Sequence, residues 1–117
     1  MADNAILDKS KAFAVRAVRL YQYLCNEKFE WDTEKAHING AKHHVDFTDA
    51  AAVFDDPNRK EWYDAVHSLT EERYVTIGMV RDILFVVYTM RWERIRIISA
   101  RKATPYERRL YYNDRQI

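Results

Sequence analysis

A single α+β domain, built from a small antiparallel sheet with helices packed against it and preceded by one further N-terminal helix, is the fold class that the 117 residues predict. Three observations carry that expectation. The spacing of apolar residues is helical up to about Glu61 and strand-like beyond it. The length suits one core. A composition of 48% hydrophobic and 32% charged residues is ordinary for a globular domain.

In chain order, Asp8 to Lys28 reads as a helix. Phe13, Ala14, Ala17, Val18, Tyr21, Leu24 and Cys25 recur at three- and four-residue steps, with Lys11, Arg16, Arg19 and Gln22 opposite. Ala14, Val18 and Tyr21 are therefore expected to be buried, because a lone helix of this length is marginal in water. Residues 1–28 are read as this helical extension and residues 29–117 as the domain. Phe29-Glu30-Trp31 is a short extended segment. Asp32 is an N-cap for a helix to about Lys42, with Gly40 weakening its last turn. Asp46 caps a second short helix carrying Phe47, Ala50, Ala51 and Phe54 on one face, and Pro57-Asn58 ends it.

Arg73 to Met79, Ile83 to Met90 and Arg94 to Ser99 are rich in Val, Ile and Tyr and are joined by short connectors, the pattern of an antiparallel meander. Ile83 to Tyr88 is apolar on both faces and is expected at the centre of the sheet. Arg94 and Arg96 share one face of their strand while Ile95 and Ile97 take the other, so the arginine face is exposed or meets an anion. Thr104-Pro105-Tyr106-Glu107 is a capping box with proline at the first helical position, opening a helix to about Asn113.

The charge-free run Ile83 to Met90 is far too short to cross a bilayer, and the N-terminus lacks the pattern of a secretory leader. With a lone Cys25 the expectation is a cytoplasmic protein without a disulfide framework. The net charge of +1 hides an uneven distribution. Phe29 to Glu72 holds eleven acidic and four basic residues, whereas Arg91 to Arg109 holds seven basic and two acidic, so the last third can bind a polyanion such as RNA. His37, His43, His44 and His67 do not make a metal site by their spacing, since His37 and His43 fall on different helical faces.

Trp31-Asp32-x-x-Lys35, Asn39-x-x-Lys42-His43-x-Val45-x-Phe47, Ala50 and Val53-Phe54-Asp55-Asp56-Pro57 together resemble the opening signature of the BrnT family of ribonuclease toxins. His67, Glu72-Arg73-Tyr74, Gly78, Val86-Val87-Tyr88-Thr89, Arg94 to Ala103 and Glu107-Arg108-Arg109-x-Tyr111 follow in order. The sequence departs from the family at His44, where glycine is usual, in the short connector from Val80 to Asp82, and in the added residues 1–28. The resemblance implies a RelE-like fold and RNA cleavage without a metal or other cofactor. It also implies a BrnA-like ribbon-helix-helix antitoxin as partner. Docking of the N-terminal helix onto a second copy would give a homodimer, and no membrane partner is expected.

Metal-independent RNA cleavage needs a base for the ribose 2′-hydroxyl, an acid for the leaving oxygen, and cations for the phosphate in the transition state. Arg94, Arg96 and Arg101 are expected in the last role, because a guanidinium binds phosphate bidentately and stays charged. His67 and Glu107 are the candidates for proton transfer, although Glu107 also closes the capping box. Lys35, Arg73, Trp92 and Lys102 are expected to contact RNA, Trp92 by stacking on a base. The competing reading is a catalytically silent interaction module with a toxin-like fold.

Overall fold

The computed structural model describes residues 28–113, so all but the last residue of the expected N-terminal helix lies outside the described part. The described elements are β1 (Phe29–Glu30), α1 (Thr33–His43), α2 (Phe47–Ala52) continuing into a 3-10 turn (Val53–Asp55), β2 (Lys60–Tyr63), β3 (Tyr74–Met79), β4 (Ile83–Arg91), β5 (Arg94–Lys102) and α3 (Pro105–Tyr112).

Local chemistry sets the helix ends. Asp32 accepts the backbone N–H of Lys35 at 2.9 Å and starts α1. The same helix ends at His44, whose φ of 58° is left-handed and whose N–H donates to the Gly40 carbonyl at 2.9 Å. This is the position where the resembled family has glycine, and a left-handed residue with a Cβ costs about 1 kcal/mol. Asp46 stands at the N-cap position of α2 but makes no capping bond with its side chain. At α3 both halves of the expected capping box form between Thr104 and Glu107.

The sheet has five strands in the order β1-β5-β4-β3-β2, which makes β4 the central strand, as its two-sided apolar pattern predicts. From β2 to β5 the sheet is an antiparallel meander. Two features depart from the sequence expectation. β2 is an edge strand with three exposed residues, held by pairing with β3 and lacking the alternation that would announce it. β1 joins the other edge in parallel, with Phe29 opposite Ile95 and Glu30 opposite Arg96. Pairing also carries β5 on to Lys102, which lies opposite Leu84.

The two faces of β4 build two cores. Leu84 and Val86 pack with Phe29, Ile97, Ala100 and the apolar residues of α2, and Trp31 and Ala36 close that side. Ile83 packs with Val75, Ile77 and Tyr111 of α3, with Phe85 and Val87 at the margin. Gly78 belongs to the first face, where a Cβ would fall 2.6 Å from Val53 Cγ1, so glycine is what lets the 3-10 turn close on β3. On the far side of β3, Asp56 accepts the Met79 N–H and the Tyr111 hydroxyl, tying turn, sheet and α3 together.

One side chain fixes β5 against α1. Asn39 is buried, and its amide donates to the carbonyls of Ala100 at 2.8 Å and Val45 at 3.2 Å while accepting the Ala100 N–H at 3.2 Å. It thereby satisfies both backbone groups of Ala100 on the side of β5 that β1 is too short to reach. Just before it, the β4–β5 register shifts: Val87 pairs with Ser99 but Tyr88 pairs with Ile97, leaving Ile98 as the extra residue of a bulge. Replacing Asn39 by alanine strands three buried backbone groups. Asn39→Ala should therefore lower unfolding free energy by about 2–4 kcal/mol in urea denaturation, and a loss under about 1 kcal/mol would show the clamp to be dispensable.

Candidate functional site

Strand parity decides which charged residues meet. In a regular strand, Arg94 and Arg96 share a face and Arg101, an odd number of positions away, falls on the other. The bulge at Ile98 reverses that parity. Arg96 lies opposite Thr89 and Arg101 opposite Phe85, so all three arginines project from the face that α3 covers only at one end.

Around Arg94 and Arg96 the sequence alone does not reveal the key partner. Glu30 projects from β1 onto the same face. Its carboxylate accepts from Arg96 Nη1 at 3.2 Å and stands 3.4 Å from Arg94 Nε and 3.9 Å from Arg91 Nε. Arg94 Nη2 also donates to the Phe29 carbonyl at 2.8 Å. The expectation that this arginine face is exposed or meets an anion is met within the chain itself. Neither Glu30 nor Arg91 stood among the sequence candidates, because only the parallel β1–β5 pairing brings a two-residue segment beside the hairpin.

Arg101 is held differently. It forms a bidentate pair with Glu107, at 2.8 and 3.0 Å, and lies over the Phe85 ring with Cζ 4.0 Å from the centroid. Burial pushes the Glu107 carboxyl up, but the Arg101 guanidinium and the Thr104 backbone N–H outweigh it and hold the group below the ordinary carboxylate range. The Glu107 carboxylate is thus an acceptor in each of its described hydrogen bonds. It holds Arg101 through both oxygens.

The remaining candidates stand at varied distances from this face. Trp92, 94% exposed, tops the two-residue turn between β4 and β5 with a φ of 58°. That turn position favours Gly, Asn or Asp, so a tryptophan there carries backbone strain. Arg73 Nη2 lies 3.9 Å from Glu71, which lies 3.9 Å from Arg91, and Arg73 Nε is buried without a hydrogen-bond partner. His67 belongs to the exposed β2–β3 loop, where its Nδ1 meets the Asp64 carboxylate at 2.9 Å. A carboxylate only accepts, so Nδ1 is the donor in this contact. The contacts of His67 stay within the loop. Lys35 is exposed in the first turn of α1, beside Asp32, whose carboxyl is held low by the Lys35 N–H and more weakly by Lys35 and Arg96. Lys102 points away, since it pairs with Leu84 on the opposite face and its Nζ is 3.8 Å from Asp82. Among the described residues no cluster of three or more His, Cys, Asp or Glu side chains is placed to hold a metal.

Comparison with known proteins agrees with this architecture. Residues 31–107 match the family model described as the ribonuclease toxin BrnT of type II toxin–antitoxin systems. The chain is also similar to the solved crystal structure of the Brucella abortus ribonuclease toxin BrnT, at 27% sequence identity and a TM-score of 0.54, over 66% of this chain and 96% of that one. A search of curated proteins finds no match.

The Arg101–Glu107 pair makes stability depend on pH in a definite sense. A carboxyl with a depressed folded pKa stabilises the fold above its ordinary value of 4.5, and that contribution fades as pH falls through the folded value. Glu107→Gln keeps the hydrogen-bonding shape of the capping box but loses the charge. The wild type should exceed this variant by on the order of 1 kcal/mol at about pH 7, and the gap should narrow steadily as the pH is lowered below 4.5 in paired urea titrations. A gap that is independent of pH would refute this origin.

Proposed function

The chain belongs to the BrnT family of ribonuclease toxins of type II toxin–antitoxin systems, and on that premise we propose that it is an endoribonuclease that cleaves RNA on the face bearing Arg94, Arg96 and Arg101, without a metal. The observation that carries this reading is the bulge at Ile98, which turns Arg101 to the side of the other two arginines.

Cleavage of RNA by its own 2′-hydroxyl needs little covalent help from the protein. The hydroxyl attacks the adjacent phosphorus, the 5′-oxygen of the next nucleotide leaves, and the products are a 2′,3′-cyclic phosphate and a free 5′-hydroxyl. Charge accumulates on the two non-bridging oxygens in between, and guanidinium groups gathered on one face of a strand stabilise it. Arg94 is steadied by the Phe29 carbonyl, Arg96 by Glu30 and Arg101 by Glu107. Glu107 serves here as a positioning residue. For the base, the Asp64–His67 pair is the better candidate, because the Asp64 carboxylate engages Nδ1 and leaves Nε2 as the ring nitrogen to take the hydroxyl proton. Trp92 offers a flat exposed ring to an unstacked base at the hairpin tip, and Arg73 adds charge beside Arg91. Lys35 supports phosphate contact at the α1 end, while the orientation of Lys102 argues against a shared role with Arg101.

A type II family implies an antitoxin as partner. We read that partner as a BrnA-like ribbon-helix-helix protein that covers the arginine face, and the cellular consequence of cleavage as arrest of translation in the cytoplasm. A homodimer is compatible with this scheme.

The purified full chain should cut RNA equally well with and without EDTA and leave 2′,3′-cyclic phosphate ends. Arg96→Ala and Arg101→Ala should each lower kcat/KM at least tenfold, or about 1.4 kcal/mol of transition-state stabilisation. Arg96→Ala is the cleaner variant, since Arg101→Ala also leaves Glu107 without its guanidinium. Cleavage that requires a divalent ion, or that survives both substitutions, would defeat the mechanism.

A further inference from the structure

Three guanidinium groups converge on one carboxylate at the hairpin end of the open sheet face. Arg96 Nη1 stands 3.2 Å from the Glu30 carboxylate, Arg94 Nε 3.4 Å and Arg91 Nε 3.9 Å. One carboxylate thus faces three guanidinium groups. Glu71 lies 3.9 Å from Arg91, and Asp32 is within electrostatic range of Arg96. The side chains of Glu30, Arg96, Arg94 and Arg91 all keep between 25% and 49% of their surface in solvent, so an entering anion can reach them.

The backbone beneath this cluster needs no help from the carboxylate. Phe29 is buried with its ring 5.4 Å from that of Phe54, and its carbonyl holds Arg94 directly. Glu30 can swing out while β1 stays paired with β5, because the pairing uses main-chain groups only. A carboxylate and a phosphodiester present the same pair of acceptor oxygens to a guanidinium fork, so the position of the Glu30 carboxylate marks where a phosphate oxygen pair fits.

We infer that Arg91, Arg94 and Arg96 form a phosphate seat, distinct from the Arg101–Glu107 pair, in which the Glu30 carboxylate stands in for the anion until a phosphodiester displaces it. The identity of the displacing ligand rests on the ribonuclease reading, but the seat itself does not. Glu30 is then an internal competitor that keeps the arginines oriented and weakens loose binding of small anions. Only a ligand that also engages neighbouring groups, such as RNA reaching Trp92, displaces it efficiently.

Glu30→Gln tests this, because glutamine keeps the size and the acceptor oxygen while losing the charge. In the full chain, Glu30→Gln should bind inorganic phosphate and an uncleavable 2′-O-methyl RNA about tenfold tighter than the wild type by calorimetry. The guanidinium Nε–H signals of Arg91, Arg94 and Arg96 should be those that shift on adding phosphate. Equal or weaker phosphate binding by the variant would overturn the inference and leave Glu30 as a structural strut. Tighter phosphate binding together with absent RNA cleavage by the wild type would uphold the seat and refute the ribonuclease reading. If Glu30→Gln folds poorly, the wild type still decides. Its Glu30 carboxyl carbon signal must move in step with the arginine signals during titration with the 2′-O-methyl RNA, and a stationary signal rejects displacement.

Discussion

Asn39 does for β5 what a neighbouring strand would do. β1 pairs with β5 only at Ile95 and Arg96, so the backbone of Ala100 has no strand beside it on that edge, and the amide of Asn39 supplies both a donor and an acceptor there. Buried backbone groups left without partners are costly, which makes this clamp a condition for β5 to continue past the bulge. The third bond of the same amide, to the Val45 carbonyl, fastens the segment after α1 to the same point. Helix, connector and strand are thereby held in one register, and that register determines the face on which Arg101 emerges.

From there the consequences run outward along the open face. Arg101 lies over Phe85 and locks onto Glu107, whose own placement follows from the capping box that begins α3. The far end of α3 is anchored by Tyr111, whose hydroxyl donates to Asp56 at 2.6 Å; burial and that carboxylate push the phenol up to about 12. A helix secured at both ends covers one part of the sheet, while at the hairpin half the Glu72 carbonyl takes the hydroxyl of the buried Thr89. Arg91, Arg94, Arg96 and Glu30 gather beside it. The same main-chain scaffolding that buries the apolar faces of β4 thus concentrates positive charge at one end of a rigid sheet, as an electrostatic stabiliser of phosphate chemistry requires.

Features resting on local chemistry were readable in the sequence. The capping box at Thr104 and Glu107, the cap at Asp32, the central β4 and the shared face of Arg94 and Arg96 all follow from short-range pattern and occur as expected. Long-range pairing was not readable. β2 is short and exposed, so it has no burial periodicity, and β1 has only two residues and so no period at all. Arg101 was a candidate by residue type, but its company with Arg94 and Arg96 depends on a bulge that the run Ile95 to Ser99 does not announce. Glu30 escaped notice for the same reason, since its partners are cross-strand neighbours. The resemblance in motif order, by contrast, pointed to the family that the match over residues 31–107 establishes.

The central claim is that RNA lies on this one sheet face. Photo-crosslinking a 2′-O-methyl RNA carrying 4-thiouridine to the full chain, with the adducts mapped by mass spectrometry, tests it directly. Adducts should concentrate on Trp92 and on the peptides from Arg91 to Arg101. Adducts confined to the outer surfaces of α1 and α2, or spread evenly over the chain, would contradict it.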